Sequence, residues 1–448
     1  MSMGMIRLGA GDNRSSVPSA NHARTMDPSP KLSSSAARNL ESNGSTLFDI
    51  AAALFWERGY AVTTTREIAA AVGIRQASLY YHIANKEELL YQICLSALKE
   101  FVTEVESTVK AVASPLKRVR VLIHAHITTL LKYQKRNVAM LTELRALTPR
   151  HRREVVALRE SYLQFVRSSL AEAQVDGTIR SDIAARHLSL ALLNMLNWTA
   201  LWFHRGEALS AEELAGIFAK IFLTGAAGPR RRVGISLGDL ASLRQGGARP
   251  RKRKNRDNPT FERVLDAAVA LFSHKGYTAT STREIAQLVG IQKASVFYHI
   301  DEKEDLLHLI CKSSLEQICH DVEDAIRPIP DPLERTRILI RTHIESMLRD
   351  ADQHTTTLAE MRALSRERLA QVVGLRDAYE NLVRSVLQDA QRTGALRRDI
   401  DTKYLSLALL GLMNRALVWY RRSGPLSPTQ LGHLFAVIFL AGAQTTAD

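Results

Sequence analysis

Between Gly73 and Lys86 the chain sets polar side chains at the spacing of a short helix: Arg75, Gln76 and Ser78 at its start, then Tyr80, Tyr81, His82 and Lys86. Side chains on the first turn of such a helix reach base edges in the major groove, and those farther along hold phosphates on either side. Glutamine makes two hydrogen bonds to adenine, and arginine or lysine donates to guanine, so Arg75 and Gln76 are candidates for reading sequence. The hydroxyls of Tyr80 and Tyr81, the His82 imidazole and the Lys86 ammonium suit phosphate oxygens. The same order returns as Gln292, Lys293 and Ser295, followed by Tyr298, His299 and Lys303, with Phe297 in the place of Tyr80. Because Arg75 becomes Gln292 and Gln76 becomes Lys293, the two readers are expected to prefer different half-sites. An imperfect palindrome in double-stranded DNA is the natural target.

Positioning these side chains requires a helix, a tight turn and a second helix, and the signals for all three occur twice. Thr64-x-x-Glu67 and Ser281-x-x-Glu284 are capping boxes, which satisfy the free N–H groups at a helix start. Gly73 and Gly290 permit the reversal that follows. Asn85 and Asp301 are expected to cap the next helix, with Glu88 and Glu304 three residues on. Upstream, Leu47, Ile50, Ala51, Leu54 and Phe55 form the apolar stripe of an amphipathic helix, repeated as Val264, Ala267, Ala268, Leu271 and Phe272.

The repetition extends far beyond the motif. Arg66 and Arg283, Pro115 and Pro332, Glu143 and Glu360, Trp202 and Trp419, and Gly225 and Gly442 are each separated by 217 residues. One constant offset means duplication of a whole unit without net insertion. Strand-like alternation is nearly absent, so the expected class is all-α. The boundaries read as a tail at 1–43, a reader at 44–91, a helical domain at 92–227, a basic linker at 228–259, a second reader at 260–308 and a second helical domain at 309–445.

Composition agrees with a polyanionic partner. The 448 residues carry a formal net charge of +14, and the linker alone holds ten Lys or Arg against two Asp, including the run Arg249 to Arg256. Such a run is either an arm lying on phosphates or a solvated tract. The cysteines Cys94, Cys311 and Cys319 form no metal-type cluster, which fits a reducing cytosol. No secretory signal opens the chain, and the apolar run Leu188 to Phe203 is shorter than the ~20 residues a membrane span needs. A cytoplasmic protein without membrane contact is expected. No phosphate-cradling glycine loop, metal-ligand helix motif or Ser/His/Asp set recurs in both copies, and His124-x-His126 faces Arg341 at its first place in the second. Neither an enzyme nor a cofactor is therefore expected. A helical interaction protein that ignores DNA is the other alternative, and steep weakening of duplex binding with salt distinguishes it.

The run Gly59-Tyr60, Thr64-x-Arg66-Glu67-Ile68-Ala69, Gly73-Ile74, Ser78 to Ile83 and Asn85 to Leu90 resembles the N-terminal signature of the TetR family of transcriptional regulators. The resemblance implies two tandem units, each a helix-turn-helix domain followed by a helical ligand-binding and dimerisation domain. It implies that Arg66, Gln76, Ala77, Tyr80, Tyr81, His82 and Lys86 face DNA, as do Arg283, Lys293, Ala294, Tyr298, His299 and Lys303; Phe297 loses one phosphate bond. Repression relieved by a small-molecule effector is the family's commoner mode, and activation is the alternative. The later frame, with Glu143 to Leu147 and Leu158-Arg159-x-x-Tyr162 matched by Glu360 to Leu364 and Leu375-Arg376-x-x-Tyr379, is similar to members that act on lipid or steroid breakdown, some of which respond to coenzyme A thioesters. On that reading Arg145, Arg159, Arg362 and Arg376 receive an acidic headgroup while Trp202 and Trp419 line an apolar tail. The competing reading makes the arginines salt-bridge partners and the tryptophans core or interface. The last two helices of each unit are expected to pair, either within one chain as a pseudo-dimer or between two chains. The mismatches of Trp198 with Arg415 and Asn194 with Gly411 favour pairing of unlike copies.

Overall fold

The computed structural model of the chain describes residues 44–204, 206, 208–225, 259–298 and 300–442. The tail at 1–43, the linker up to residue 258, His299 and the end of the last expected domain at 443–445 lie outside the described residues. Among the described residues there is no β-strand, and each copy folds as nine α-helices. In the first copy α1 (Gly44–Arg58), α2 (Thr65–Val72) and α3 (Gln76–His82) make the reader. They are followed by α4 (Lys86–Lys110), α5 (Pro115–Lys132), α6 (Gln134–Thr142), α7 (Pro149–Val175), α8 (Ala185–Trp202) and α9 (Ala211–Thr224). The second copy repeats the order as α10 (Pro259–Lys275), α11 (Thr282–Val289), α12 (Lys293–Phe297), α13 (Lys303–Ile326), α14 (Pro332–Arg349), α15 (Ala351–Glu360), α16 (Arg366–Arg392), α17 (Thr402–Asn414) and α18 (Pro428–Ala441).

Helix starts follow the capping chemistry. Thr64 and Ser281 each close a full capping box with Glu67 and Glu284, and Gly73 and Gly290 end α2 and α11 in the left-handed region at φ 79° and 76°. Loss of a cap hydroxyl costs about 1 kcal/mol, so Thr64→Ala and Ser281→Ala are each expected to lower the urea-unfolding free energy by about that amount. A larger loss in either variant would mean that the hydroxyl also holds the neighbouring reader. Asn85 caps α4 as expected. Asp301 does not cap α13: the backbone N–H groups of Asp301 and Glu302 both donate to the Asp305 carboxylate, at 2.9 and 2.8 Å, and the helix begins one residue later with Glu302 as its cap.

Helix α4 places Leu89, Leu90 and Ile93 under the reader and Phe101, Val105 and Val109 in the regulatory core. The expected boundary at residue 91 thus falls inside one continuous helix of 25 residues, about 37 Å long at 1.5 Å per residue. Helix α13 does the same in the second copy. A displacement of its far end is transmitted to the reader by a rigid element.

The two copies pack face to face through α8 and α17, with α9 and α18 beside them. Asn194 on α8 donates to the carbonyl of Leu412 at 3.0 Å and accepts from the indole of Trp419 at 3.1 Å. Trp198 lies over Gly411, where a β-carbon would come within 2.7 Å of the Trp198 Cβ. At the ends of α9 and α18, Gly225 and Gly442 approach the opposite backbone; a β-carbon on Gly225 would stand 2.2 Å from the Leu440 carbonyl oxygen. Arg397 donates to the Gly225 carbonyl at 3.1 Å and Arg180 to that of Gly442 at 3.5 Å, an exchange of equivalent partners. Among the described residues no helix is long and apolar enough to cross a membrane.

Candidate nucleic-acid interface and regulatory cavity

Each reader helix is held by one buried apolar side chain and turns the rest outward. Leu79 and Val296 are fully buried, whereas Arg75, Gln76, Ala77 and Ser78, and likewise Gln292, Lys293, Ala294 and Ser295, are exposed. Arg66 and Arg283 are exposed on the preceding helices. Tyr81 and Tyr298 are 90% and 86% exposed. A large aromatic ring left so far in water on a helix that buries its opposite face marks a contact surface.

The readers differ in how their polar groups are set. In the first, the Thr65 hydroxyl accepts from the Gln76 amide at 3.1 Å and meets the Tyr80 hydroxyl at 3.0 Å, a chain that fixes Gln76 on the groove face. In the second, Phe297 cannot take part, and the Lys293 ammonium instead lies 5.5 Å above its ring. Lys86 and Lys303 depart from the expectation of phosphate contact. The Lys86 ammonium donates to the carbonyls of Tyr60, Ala61 and Thr63 at 2.9, 3.2 and 2.9 Å, over the Tyr60 ring. Lys303 donates to those of Tyr277 and Thr280 at 2.9 and 2.8 Å. Partial burial lowers the pKa of both, and both staple the loop before the helix-turn-helix to the base of the long helix.

The expected effector residues divide. Arg145 pairs with Glu360 at 2.7 Å and donates to the carbonyl of Ser273 at 3.3 Å, on the first helix of the opposite reader. Arg362, its equivalent, lies 4.2 Å over the Trp56 ring and donates to the Trp56 carbonyl at 3.4 Å. These two arginines tie each regulatory half to the other copy's reader, engaging protein groups where an acidic headgroup was expected. Trp202 is buried in the core between Phe203 and Phe218, and Trp419 is engaged at the interface by Asn194, so neither is placed to line a ligand chamber.

Of the six, Arg376 lines an enclosed chamber of about 80 Å³ in the second copy that also meets His343, Tyr379, Glu380, Asn414 and, from the first copy, Trp198. A larger concavity of about 360 Å³ is an open cleft beside Phe297 and Tyr298 on the second reader, remote from the regulatory core. His343 Nδ1 lies 2.6 Å from the Tyr379 hydroxyl, and burial pushes the imidazole pKa down to about 3, so it is neutral. The pair recurs as His126 and Tyr162 at 2.8 Å, again with the imidazole pushed down to about 3 by burial. Sequence reasoning missed both pairs; the signal was a histidine and a tyrosine 36 residues apart in each copy. Glu87, Glu88 and His151 stand close enough to share a cation. Their counterparts include Arg368, whose guanidinium pairs with Glu304 and Asp305, so both copies join the start of the long helix to the regulatory half at this position.

The model for bacterial regulatory proteins of the tetR family matches residues 47–93 and 264–310, and that for the tetracyclin repressor-like C-terminal domain matches 112–226 and 330–443. The chain belongs to the TetR family. Both matches occur twice, as tandem duplication of an entire TetR unit requires. The transcriptional repressor KstR2 of Mycobacterium tuberculosis H37Rv is 26% identical over 180 residues, which are 40% of this chain and 90% of that protein. The fatty acid metabolism regulator protein of Bacillus subtilis is 20% identical over 159 residues, 36% of this chain and 82% of the relative. Among solved structures, AibR in complex with isovaleryl coenzyme A and operator DNA is 30% identical, covering 39% of this chain and 95% of that one, with a TM-score of 0.37. Each of the two curated matches spans most of the relative's own length but less than half of this chain. The protein is accordingly a DNA-binding transcription regulator, with the reader helices α3 and α12 as its helix-turn-helix elements.

Proposed function

We propose that the chain is a transcriptional repressor that occupies one operator as a monomer, each copy supplying one half-site reader, and that a small organic ligand in the regulatory half releases it. The observation that carries this reading is the reciprocal packing of the copies. Arg145 on Ser273 and Arg362 on Trp56, like Arg397 on Gly225 and Arg180 on Gly442, are exchanges at the repeat offset of a local twofold relation. A twofold pair of readers is what a palindromic operator engages, and here the pair is joined within one chain. Arg75, Gln76 and Ser78 read one half-site, and Gln292, Lys293 and Ser295 the other. Arg66, Arg283, Tyr80, Tyr81 and Tyr298 hold phosphates.

The effector class proposed is a lipid-derived acid or its coenzyme A thioester, supported by the name of the Bacillus subtilis relative. Ligand sites of that size occupy ~300–1,000 Å³, so a chamber of about 80 Å³ must open to admit one. Helix α13 lines that chamber with Leu315 and Ile318 and carries Lys303 at its other end. Opening therefore moves the helix on which the reader is stapled.

Sites selected by the protein from a random duplex pool test the proposal. Gln76→Ala and Lys293→Ala are each expected to weaken specific binding by ~1–3 kcal/mol and to relax preference at opposite half-sites, at one chain per duplex. Relaxation of the same half-site by both variants, or two chains on every bound duplex, would refute it.

A further inference from the structure

The histidine–tyrosine pair of the regulatory half is kept in both copies, but what packs against it is not. In the first copy the Phe101 ring meets His126 and Tyr162 edge-on, with centroids 4.9 and 5.2 Å away, and Phe101 is buried. At the repeat offset its place is taken in the second copy by Ile318, which with His343 and Tyr379 lines the chamber of about 80 Å³. Met140 likewise gives way to Thr357, another lining residue. An aromatic ring and a thioether thus fill in one copy the space that smaller side chains leave open in the other.

Two buried polar atoms on residues that line the chamber have no protein partner. One is Nε2 of His343, whose Nδ1 is engaged by Tyr379; Asn414 lines the same chamber without bonding it. The other is Nε1 of Trp198, contributed by the first copy. Leaving such groups buried and unsatisfied is costly. An indole N–H can only donate, and with the Tyr379 hydroxyl donating to Nδ1 the imidazole Nε2 donates as well. The charges around them are already matched, Arg376 with Asp377 at 3.1 Å and Glu380 with Arg384 at 2.6 Å. A carboxylate placed there would be buried near Glu380 without a counter-charge of its own, whereas a carbonyl oxygen accepts from such donors and adds no charge. Nε2 of His126 is unpartnered too, so the first copy retains the polar group and lacks the space. The residue at the offset of Trp198 is Arg415, which has no indole to offer it.

We infer that the second copy alone senses the effector: one molecule per chain enters its chamber, an apolar chain ending in an uncharged carbonyl such as that of a thioester, while Phe101 plugs the equivalent space in the first copy. The inference rests on the ligand-controlled reading above and narrows it from an acid or its thioester to the thioester. Leu315 and Leu410 receive the chain, and His343 and the Trp198 indole receive the carbonyl. Because Trp198 also packs over Gly411, a ligand on its indole acts on the junction of the copies. One occupied site thereby reaches both readers, through α13 in its own copy and through α8 in the other.

Calorimetric titration of the full chain with octanoyl-coenzyme A, octanoate and coenzyme A tests the site. Octanoyl-coenzyme A is expected to saturate at one per chain and to bind at least about tenfold more tightly than either octanoate or coenzyme A. Ile318→Phe is expected to weaken it by about tenfold or more, and Phe101→Ile to leave it within roughly twofold. Melting of the free variants separates a closed site from a lost fold: Ile318→Phe fills empty space and is expected not to lower the melting temperature, whereas Phe101→Ile removes packing and lowers it. Two molecules per wild-type chain, equal binding of octanoate or coenzyme A, binding untouched by Ile318→Phe or lost in Phe101→Ile, a melting temperature lowered more by Ile318→Phe than by Phe101→Ile, or no binding of octanoyl-coenzyme A would each overturn the inference. Displacement of duplex DNA on the same samples isolates the other reading. One molecule per chain that leaves the DNA bound keeps the single site and refutes ligand-controlled repression; two per chain that release it do the reverse.

Discussion

Gly411→Ala is expected to destabilise the protein by about 2–3 kcal/mol in urea unfolding, against the sign that helix propensity alone would give. Within a helix, alanine is favoured over glycine by ~1 kcal/mol, and Gly411 is in α17. Its β-carbon, however, would fall 2.7 Å from Trp198 Cβ and 3.0 Å from Cγ, atoms at the root of that side chain which cannot swing aside. Overpacking of this kind costs ~1–3 kcal/mol beyond the propensity gain. Trp198→Ala is destabilising for the opposite reason, a cavity worth ~3 kcal/mol. In the double variant the helices can close over the vacated ring and accommodate the new methyl group. The summed single effects should therefore exceed the double by at least ~1 kcal/mol, the coupling expected of residues in contact. Additive effects would mean that α8 and α17 do not pack on each other in solution. The same contact discriminates partners. Two first copies would oppose Trp198 to Asn194, and two second copies would oppose Arg415 to Gly411; only the unlike pair sets the indole over a glycine. Sedimentation of the wild-type chain at micromolar concentration is accordingly expected to give the mass of one chain.

The architecture was legible because local chemistry and the repeat agree. The capping boxes at Thr64 and Ser281, the left-handed glycines and the offset of 217 fix helices, turns and duplication without tertiary information. What helical spacing cannot say is which neighbour a face meets. Arg145 and Arg362 were expected at an effector, but each meets a backbone carbonyl of the other copy's reader, more than 100 residues away in sequence. Lys86 reads as a phosphate contact because the carbonyls of Tyr60, Ala61 and Thr63 that hold it are backbone atoms, present in every sequence and aimed only by the fold. The difference between Trp198 and Arg415 was visible between the copies, yet that Trp198 packs over Gly411 is something only the packed junction shows. Sequence divergence between duplicated units is thus most informative where the two units touch.

Acidification below pH 6.5 is expected to unfold the regulatory pair steeply, because its core histidines are held neutral. His126 and His343 are pushed down to about 3 and His354 to about 4, chiefly by burial, and Nδ1 of each already engages Tyr162, Tyr379 or Ser314. The folded pKa of each lies below its unfolded value of ~6.5. Between those limits the unfolded chain binds more protons, so stability is fully present above about pH 6.5 and is lost as pH falls towards the folded values. Each histidine contributes a slope of ~1.4 kcal/mol per pH unit, and three together give ~4, which over one to two units approaches the ~5–15 kcal/mol of a typical domain. Glu143 and Glu380 act in the opposite sense, since burial raises their carboxyl pKa values and protonation favours the folded state. Their opposing contribution begins at their raised folded values and is complete below the ordinary glutamate value of ~4.3. Urea unfolding measured in half-unit steps from pH 7.5 to 5 should show stability flat above pH 7 and falling below 6.5. His343→Gln keeps a hydrogen-bonding group near Tyr379 but cannot titrate, so it should reduce the acid slope by about one proton. An unchanged slope in that variant would show that His343 is not held neutral in the folded chain.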